Sequence, residues 1–314
     1  MTRPTRWFAN PQAVRPDAIE WPTLVVAVTI YGGWLAATWF HGDLTLGLRI
    51  AIGGWLIAWH GSLQHEVIHG HPTPWRRVNA LIGSIPLSLW LPFEHYRRTH
   101  LLHHATERVT EPGADPESRY LATPRRAALG LGHRVAALQA NLSGRIVLGP
   151  FVEVWRFFLS EVLAVRNGDA GGAGVWVRHL LAAAFVVAWL KLVCGMTLID
   201  YLLTFIYPGA ALTFIRSFAE HRAHDSPGHR VAIVERAPLM GLLFLNNNLH
   251  AVHHSHPGEP WYRLPGLYRR NREQVLQANG GLVYAGYREV FARFLFKPHD
   301  DLVHPLAVEG PHRP

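Results

Sequence analysis

The sequence predicts an all-α integral membrane protein: four transmembrane helices in two hairpins, a re-entrant or interfacial segment, and a helical cytosolic cap carrying clustered histidines. Three observations lead there. Hydrophobic residues make up 49% of the 314 residues and charged residues only 17%, against roughly 25% charged in an ordinary soluble protein. Four apolar runs of membrane-crossing length come in two closely spaced pairs. Histidine numbers 21 beside 22 Asp plus Glu, which marks an unusual need for imidazole. The apolar content excludes a disordered or collagen-like chain. The single cysteine, Cys194, excludes an internal disulfide framework, a thiolate zinc finger and an iron–sulfur cluster held by the chain's own thiolates.

Residues 22–40 read PTLVVAVTIYGGWLAATWF without a charged side chain, and about 20 residues is what a helix needs to cross the hydrocarbon core. The run begins too late for a signal peptide and heads straight into a second one. After His41-Gly42-Asp43, residues 44–63 carry one charge, Arg49, expected to snorkel towards the outer headgroups. Residues 78–93 are apolar but hold Gly83, Pro86 and Pro92, so they predict a re-entrant or interfacial segment. Residues 94–175 are mostly polar, apart from an amphipathic patch at 146–165. The third span covers 176–193 and the fourth 198–218, where Pro208-Gly209 predicts a kink. A further amphipathic helix is expected over 282–296. The division is thus a cytosolic N-terminal segment 1–21, a membrane domain 22–265 and a cytosolic C-terminal segment 266–314.

The net charge of +8 is compatible with nucleic acid, anionic lipid or an acidic partner. The arginines form no stripe on one polar helix, so no nucleic-acid partner is expected. They gather between apolar runs: Arg97, Arg98, Arg125, Arg126, Arg134 and Arg145, then Arg263, Arg269, Arg270 and Arg272. The short turns inside both hairpins lack Lys and Arg. Positive charge stays on the cytoplasmic side, which puts both termini and the long central segment in the cytoplasm, with a bacterial inner membrane the expected location.

Four histidine groups then fall on that same cytoplasmic face: His65 and His69; His100, His103 and His104; His221; and His250, His253 and His254. Residues three or four apart share a helix face, so each multiple group presents its imidazoles together. Imidazole suits zinc, copper, iron and nickel. These nine exceed what one tetrahedral ion takes and match two ions of higher coordination. Glu66, Glu94 and Glu220 adjoin the groups and are placed to accept the second N–H of a ligating imidazole. His95 lies about 140° around a helix from His100 and is not expected to ligate. His71, His224, His229 and His256 read as loop residues.

The ordered segments HEVIH, HYRRTHLLHH and NNNLHAVHHSHP resemble the three histidine boxes of the integral-membrane fatty-acid desaturase and hydroxylase superfamily. The isolated His221 is similar to the extra ligand those proteins supply from the end of a late transmembrane helix. The resemblance implies a non-haem di-iron centre, two Fe with O2 as co-substrate, that removes hydrogen from an unactivated C–H bond. It makes His65, His69, His100, His103, His104, His221, His250, His253 and His254 the iron ligands. Several acyl desaturases place Asn four residues before the isolated ligand. Here that position is Ser217, and Asn246 or Asn247 is left to hydrogen-bond a bound water. No fused cytochrome b5-like domain is present, so electrons are expected from a separate protein, and a basic face suits an acidic ferredoxin or rubredoxin. The implied substrate is a membrane lipid or lipid-like molecule, desaturated along its acyl chain. A hydroxylase or ketolase acting on an alkane, carotenoid or small metabolite remains open.

A remoter alternative is an intramembrane zinc protease, since His65-Glu66-Val67-Ile68-His69 fits H-E-x-x-H. That reading employs two histidines and leaves seven without a role. A metal transporter would place polar residues inside the spans, whereas these lie beyond their ends. The topology predicts that a reporter at Asp43 is labelled from the periplasm and one near Arg125 from the cytoplasm. Inverted labelling would overturn the common-face arrangement.

Overall fold

The structure, a computed structural model, describes residues 18–122, 130–167 and 172–308. Arg3, Arg6, Arg15, Arg125 and Arg126 lie outside the described residues. The chain is mostly helical and forms two compact units. Of the described residues, one comprises 18–98, 146–167 and 172–214; the other comprises 99–122, 130–145 and 215–308.

The first unit holds the apolar helices. Helix α1 (Trp21–Trp39) begins with Pro22, whose missing N–H has no helical partner to lose there. A 3₁₀ turn at His41–Asp43 leads to Thr45, whose hydroxyl caps α2 (Leu46–Ile68) by accepting from the Leu48 N–H. Helix α2 runs five residues past the expected end and carries His65 on its last turn. Among the described residues three helices are long and apolar enough to cross a membrane: Trp21–Trp39, Ala173–Val193 and Leu198–Glu220. With 23 residues α2 has the length, but Arg49, His60 and its glycines leave it less apolar than those three. Arg49 is half-buried on the first turn of α2. Its guanidinium meets Asp200 at 2.5 Å, because an opposite charge within reach offsets desolvation where water is scarce.

The segment at 78–93 is helical only as α3 (Arg76–Ser84); the chain then runs irregularly to Pro92 and enters α4 (Phe93–Ala105). Irregular backbone survives away from water only where its polar groups are satisfied. Side chains supply the donors here. Tyr31 donates to the Ile82 carbonyl, Gln64 to Gly83 at 2.8 Å, Tyr201 to Leu87 at 2.6 Å and His179 Nε2 to Leu89 at 2.8 Å. Tyr201 also accepts from the Trp34 indole at 2.9 Å.

After α5 (Leu131–Leu138), the amphipathic patch becomes a 25-residue helix, α6 (Leu142–Arg166), with Phe151, Trp155 and Val162 exposed. The third span is α7 (Ala173–Ala188), extended by a π turn at Trp189–Val193. The fourth is composite: α8 (Leu198–Tyr201), a π turn at Leu202–Ile206, then α9 (Tyr207–Glu220). The π turn ends two residues before Pro208, which cannot donate to the helical ladder, so the helix changes register just ahead of the residues expected to kink it. Small residues let α2 approach closely. A Cβ on Gly53 would stand 2.6 Å from the Phe205 ring and the Thr204 carbonyl, and one on Gly209 would stand 2.5 Å from Ile57.

The second unit contains a two-stranded parallel pair, β1 (Ile233–Val234) with β2 (Val283–Tyr284). It also contains α10 (Pro238–Leu243), α11 (His250–Ser255), α12 (Leu264–Ala278), α13 (Tyr287–Phe294) and α14 (Pro305–Val308). The helix expected over 282–296 is therefore shorter. Gly280 and Gly281, both at positive φ, turn the chain so that residues 283–284 pair with β1, and the helix starts only after Gly286. Ala251, Val252 and Leu249 bury against Val231, Ile233, Leu264 and Val275.

Replacing Gly53 by Val is expected to destabilise the protein by about 1–3 kcal/mol through overpacking. Gly47→Ala, with open space around it, should leave the thermal midpoint in detergent unchanged. Equal midpoints for Gly53→Val and wild type would contradict this packing.

Candidate metal centre

Seven of the nine histidines belong to the second unit, delivered by three helix ends. Helix α4 presents His100, His103 and His104 on one face of its last turns. His221 follows the last residue of α9. Helix α11 presents His250, His253 and His254, while its Ala251 and Val252 turn into the apolar core. The asparagine run shapes the entry to α11. Asn246 adopts φ 55° and donates to the Trp261 carbonyl at 3.0 Å; Asn248 donates to Val234 at 2.7 Å. Asn tolerates the left-handed region better than most residues.

His103, His221, His250 and His254 form one group whose potential ligand atoms lie within 4.8 Å of one another. Their Nε2 atoms face each other: His103 to His254 at 3.2 Å, His254 to His250 at 3.1 Å and His250 to His221 at 3.0 Å. The opposite ring nitrogens fix the tautomers. His103 Nδ1 lies 2.8 Å from Asp115 Oδ1, His250 Nδ1 2.9 Å from Asn247 Oδ1, and His221 Nδ1 3.3 Å from the Arg230 carbonyl. Asn247 presents its oxygen to His250 because its Nδ2 donates to Glu220 at 3.0 Å. Each of these oxygens only accepts, so each Nδ1 holds a proton; the neutral rings of His221 and His250 then turn a lone pair inward at Nε2, while the charged His103 holds a second proton there. The lone pairs of His221 and His250, 3.0 Å apart, cannot satisfy one another by a hydrogen bond. They suit a cation, and imidazoles held through Nδ1 to carboxylate, amide or carbonyl oxygen are the usual orientation of metal-binding histidine.

The charges agree. Burial pulls His103 down, but the Glu117 and Asp115 carboxylates outweigh it and hold its pKa at about 9, so the group attracts one positive charge. Burial, then neighbouring imidazoles, push His104, His250 and His254 well below the ordinary histidine value; burial and His103 lower His221 to about 3. These rings stay neutral, the state in which imidazole ligates.

A second group in the same unit comprises His100, His104 and His253, with His253 Nε2 3.1 Å from His104 Nε2 and His100 Nδ1 2.8 Å from Glu117. In the other unit, His65 and His69 are both buried at the end of α2, ring centroids 5.0 Å apart, with Glu66 buried between them in sequence.

Among the sequence-predicted supporting residues, Glu220 meets His250 Nδ1 at 3.5 Å and is held by Arg216 at 2.9 Å. Asn247 bridges Glu220 and His250, whereas Asn246 serves the backbone. Glu94 does not serve an imidazole: it is partly exposed and pairs with Arg97 at 3.4 Å, one helical turn on. The Ser217 hydroxyl is buried without a hydrogen-bond partner. His95 stays apart, 3.3 Å from Glu161, and His71 pairs with Glu20 at 2.7 Å. Sequence reasoning missed Asp115 and Glu117 because it sought acids adjacent to each ligand. The available signal was Gly113-Ala-Asp-Pro-Glu, a turn-forming acidic pair following the second histidine group. Asp115 accepts from the Thr110 and Glu117 N–H groups, and this folds the loop back onto α4.

The family model for fatty acid desaturase matches residues 44–286, most of the chain. Among curated proteins none matches it.

Replacing Asp115 by Asn should weaken binding of a divalent ion such as Co²⁺ by about 10–100-fold, read by competition titration, with helicity unchanged. Unaltered affinity would remove Asp115 from the centre.

Proposed function

The chain belongs to the fatty acid desaturase family, and from that membership we propose that it is an O2-dependent di-iron membrane oxidase that desaturates an acyl chain or related lipid-like substrate. Family membership makes it an oxidoreductase, and three apolar helices make it an integral membrane protein. The observation that carries the finer reading is the convergence of imidazole lone pairs, with their Nδ1 protons held outward by Asp115, Asn247 and the Arg230 carbonyl.

His103, His221, His250 and His254 would hold one iron. His100, His104 and His253 would hold the other. Two bound irons would supply activation of O2 and removal of hydrogen from an unactivated C–H bond. The residues' own part is geometric and electrostatic. Asp115 and Glu117 keep His103 and His100 in one tautomer and one orientation. Their negative charge offsets the cost of burying a cation, and burial keeps bulk water from the reacting carbon.

The substrate reading rests on the exposed apolar faces of the spans, such as Val28, Phe185 and Leu203, which favour a ligand already dissolved in the bilayer. Four spans in two hairpins, with the histidines and both termini in the cytoplasm, follow from the charge bias. Electrons would come from a separate acidic ferredoxin or rubredoxin, drawn by the net positive charge.

Membranes containing the protein, supplied with O2 and a reduced ferredoxin, are expected to convert a saturated acyl lipid into a mono-unsaturated one. His103→Ala should abolish this while leaving membrane insertion intact. An alcohol in place of the alkene would overturn desaturation, and turnover without O2 would overturn oxidation.

A further inference from the structure

The family match ends at residue 286, yet the chain beyond it places buried polar side chains into the histidine-bearing unit. His299 and His304 are both buried, and Asp300 is only 16% exposed. They meet two pieces of backbone on which the four-histidine group depends.

The first is the segment carrying His221. The Arg119 guanidinium donates to the carbonyls of Phe218 at 3.5 Å and His221 at 3.3 Å, and to His299 Nδ1 at 3.0 Å and Asp300 Oδ1 at 3.1 Å. The other carboxylate oxygen of Asp300 accepts from the Tyr120 hydroxyl and from the Ala223 N–H at 3.2 Å; that N–H also reaches the Tyr120 oxygen at 2.9 Å. His299 Nδ1 also lies 3.4 Å from Asp300 Oδ1, and its Nε2 2.8 Å from the Tyr284 oxygen. His221 is therefore gripped on both flanks of its own peptide, with its opposite edge bridged to Val231.

The second piece is the loop bearing Asp115 and Glu117. The Leu121 N–H donates to the Leu302 carbonyl at 2.8 Å, and the His304 N–H to the Leu121 carbonyl at 3.2 Å. His304 Nε2 lies 3.0 Å from the Thr110 hydroxyl, while the Thr110 N–H binds Asp115. One short segment thus closes on a ligand at one end and on the support of another ligand at the other.

We propose that residues 299–304 form a positioning strap for the His103, His221, His250 and His254 metal site, with Asp300 acting through Arg119 and Tyr120 on the backbone of His221. This rests on the di-metal reading above. The strap touches no reacting atom. Its role is to keep His221 Nε2 and the Asp115 side of His103 in register, so that four imidazoles meet one ion. A carboxylate suits this position: burial alone would raise the Asp300 pKa, but Arg119 outweighs it and holds it at about 2, keeping the charge in place at any physiological pH.

The test uses the full chain in detergent, as wild type, Asp300→Ala and Asp300→Asn. Amide hydrogen exchange on metal-free protein reads the strap itself. Residues 218–223 and 109–121 should lose protection in Asp300→Ala, and less so in Asp300→Asn, which keeps an acceptor for Tyr120 and Ala223. Mössbauer spectra after loading with ⁵⁷Fe read the consequence. Wild type should show two inequivalent irons; Asp300→Ala should lose or alter one of them, with binding at least tenfold weaker, while the other is unchanged. Unchanged exchange in both segments overturns the strap. Loss of both irons together with loss of folded protein shows a merely structural residue and overturns the positioning role. Faster exchange in a protein whose wild type binds no metal would keep the backbone contacts and overturn the di-metal reading.

Discussion

Two imidazole lone pairs facing each other at 3.0 Å, those of His221 and His250, are stable only when something positive sits between them, and the structure depends on that constraint being met. Three rings have their protons committed outward, to Asp115, Asn247 and the Arg230 carbonyl. What His221 and His250 point inward is lone-pair density in a buried setting, where an unshared polar group costs most. The carboxylates of Asp115 and Glu117 flank these rings and supply negative charge that a cation balances.

Much of the surrounding architecture follows from holding three helix ends to that geometry. Helix α11 is only six residues long; a helix this short has little stability of its own. It is fixed by Ala251 and Val252 in the apolar core and by the asparagine run at its start. Arg230, with no exposed surface, collects the carbonyls of Val109, His224 and Asp225 and the Glu111 carboxylate. Its own carbonyl faces His221. Arg119 does the equivalent on the other side. Buried arginines with several acceptors act here as rigid connectors, since a planar guanidinium offers five donors in fixed directions. In the apolar unit the same accounting governs the irregular chain at 85–92, whose carbonyls are met by Tyr201 and His179.

The spans and the histidine grouping were legible in the sequence because both are periodic: hydrophobic runs report length, and i, i+3, i+4 spacing reports a shared face. The ends of α1 and of the third span agree with the sequence reading to within a few residues. What was not legible is long-range. Nothing local in Arg49 indicates that Asp200, some 150 residues on, will pair with it. Asp115 and Glu117 sit in a loop, and their partners are set by how that loop folds back. The strap at 299–304 has no motif at all. The helix expected over 282–296 failed because tandem glycines and a two-residue strand pairing outweighed an amphipathic pattern. Glu94 failed for a simpler reason: adjacency in sequence to a ligand group does not place a carboxylate on the ligand's face of the helix.

The central claim is that the histidines hold two irons, and the most direct test is metal content per chain by elemental analysis of detergent-purified protein from iron-replete cells, repeated after reconstitution with iron. The expected result is about two irons per chain, one for each of the two groups that could hold a metal ion among the described residues. One zinc that persists through reconstitution, with no iron bound, would contradict it.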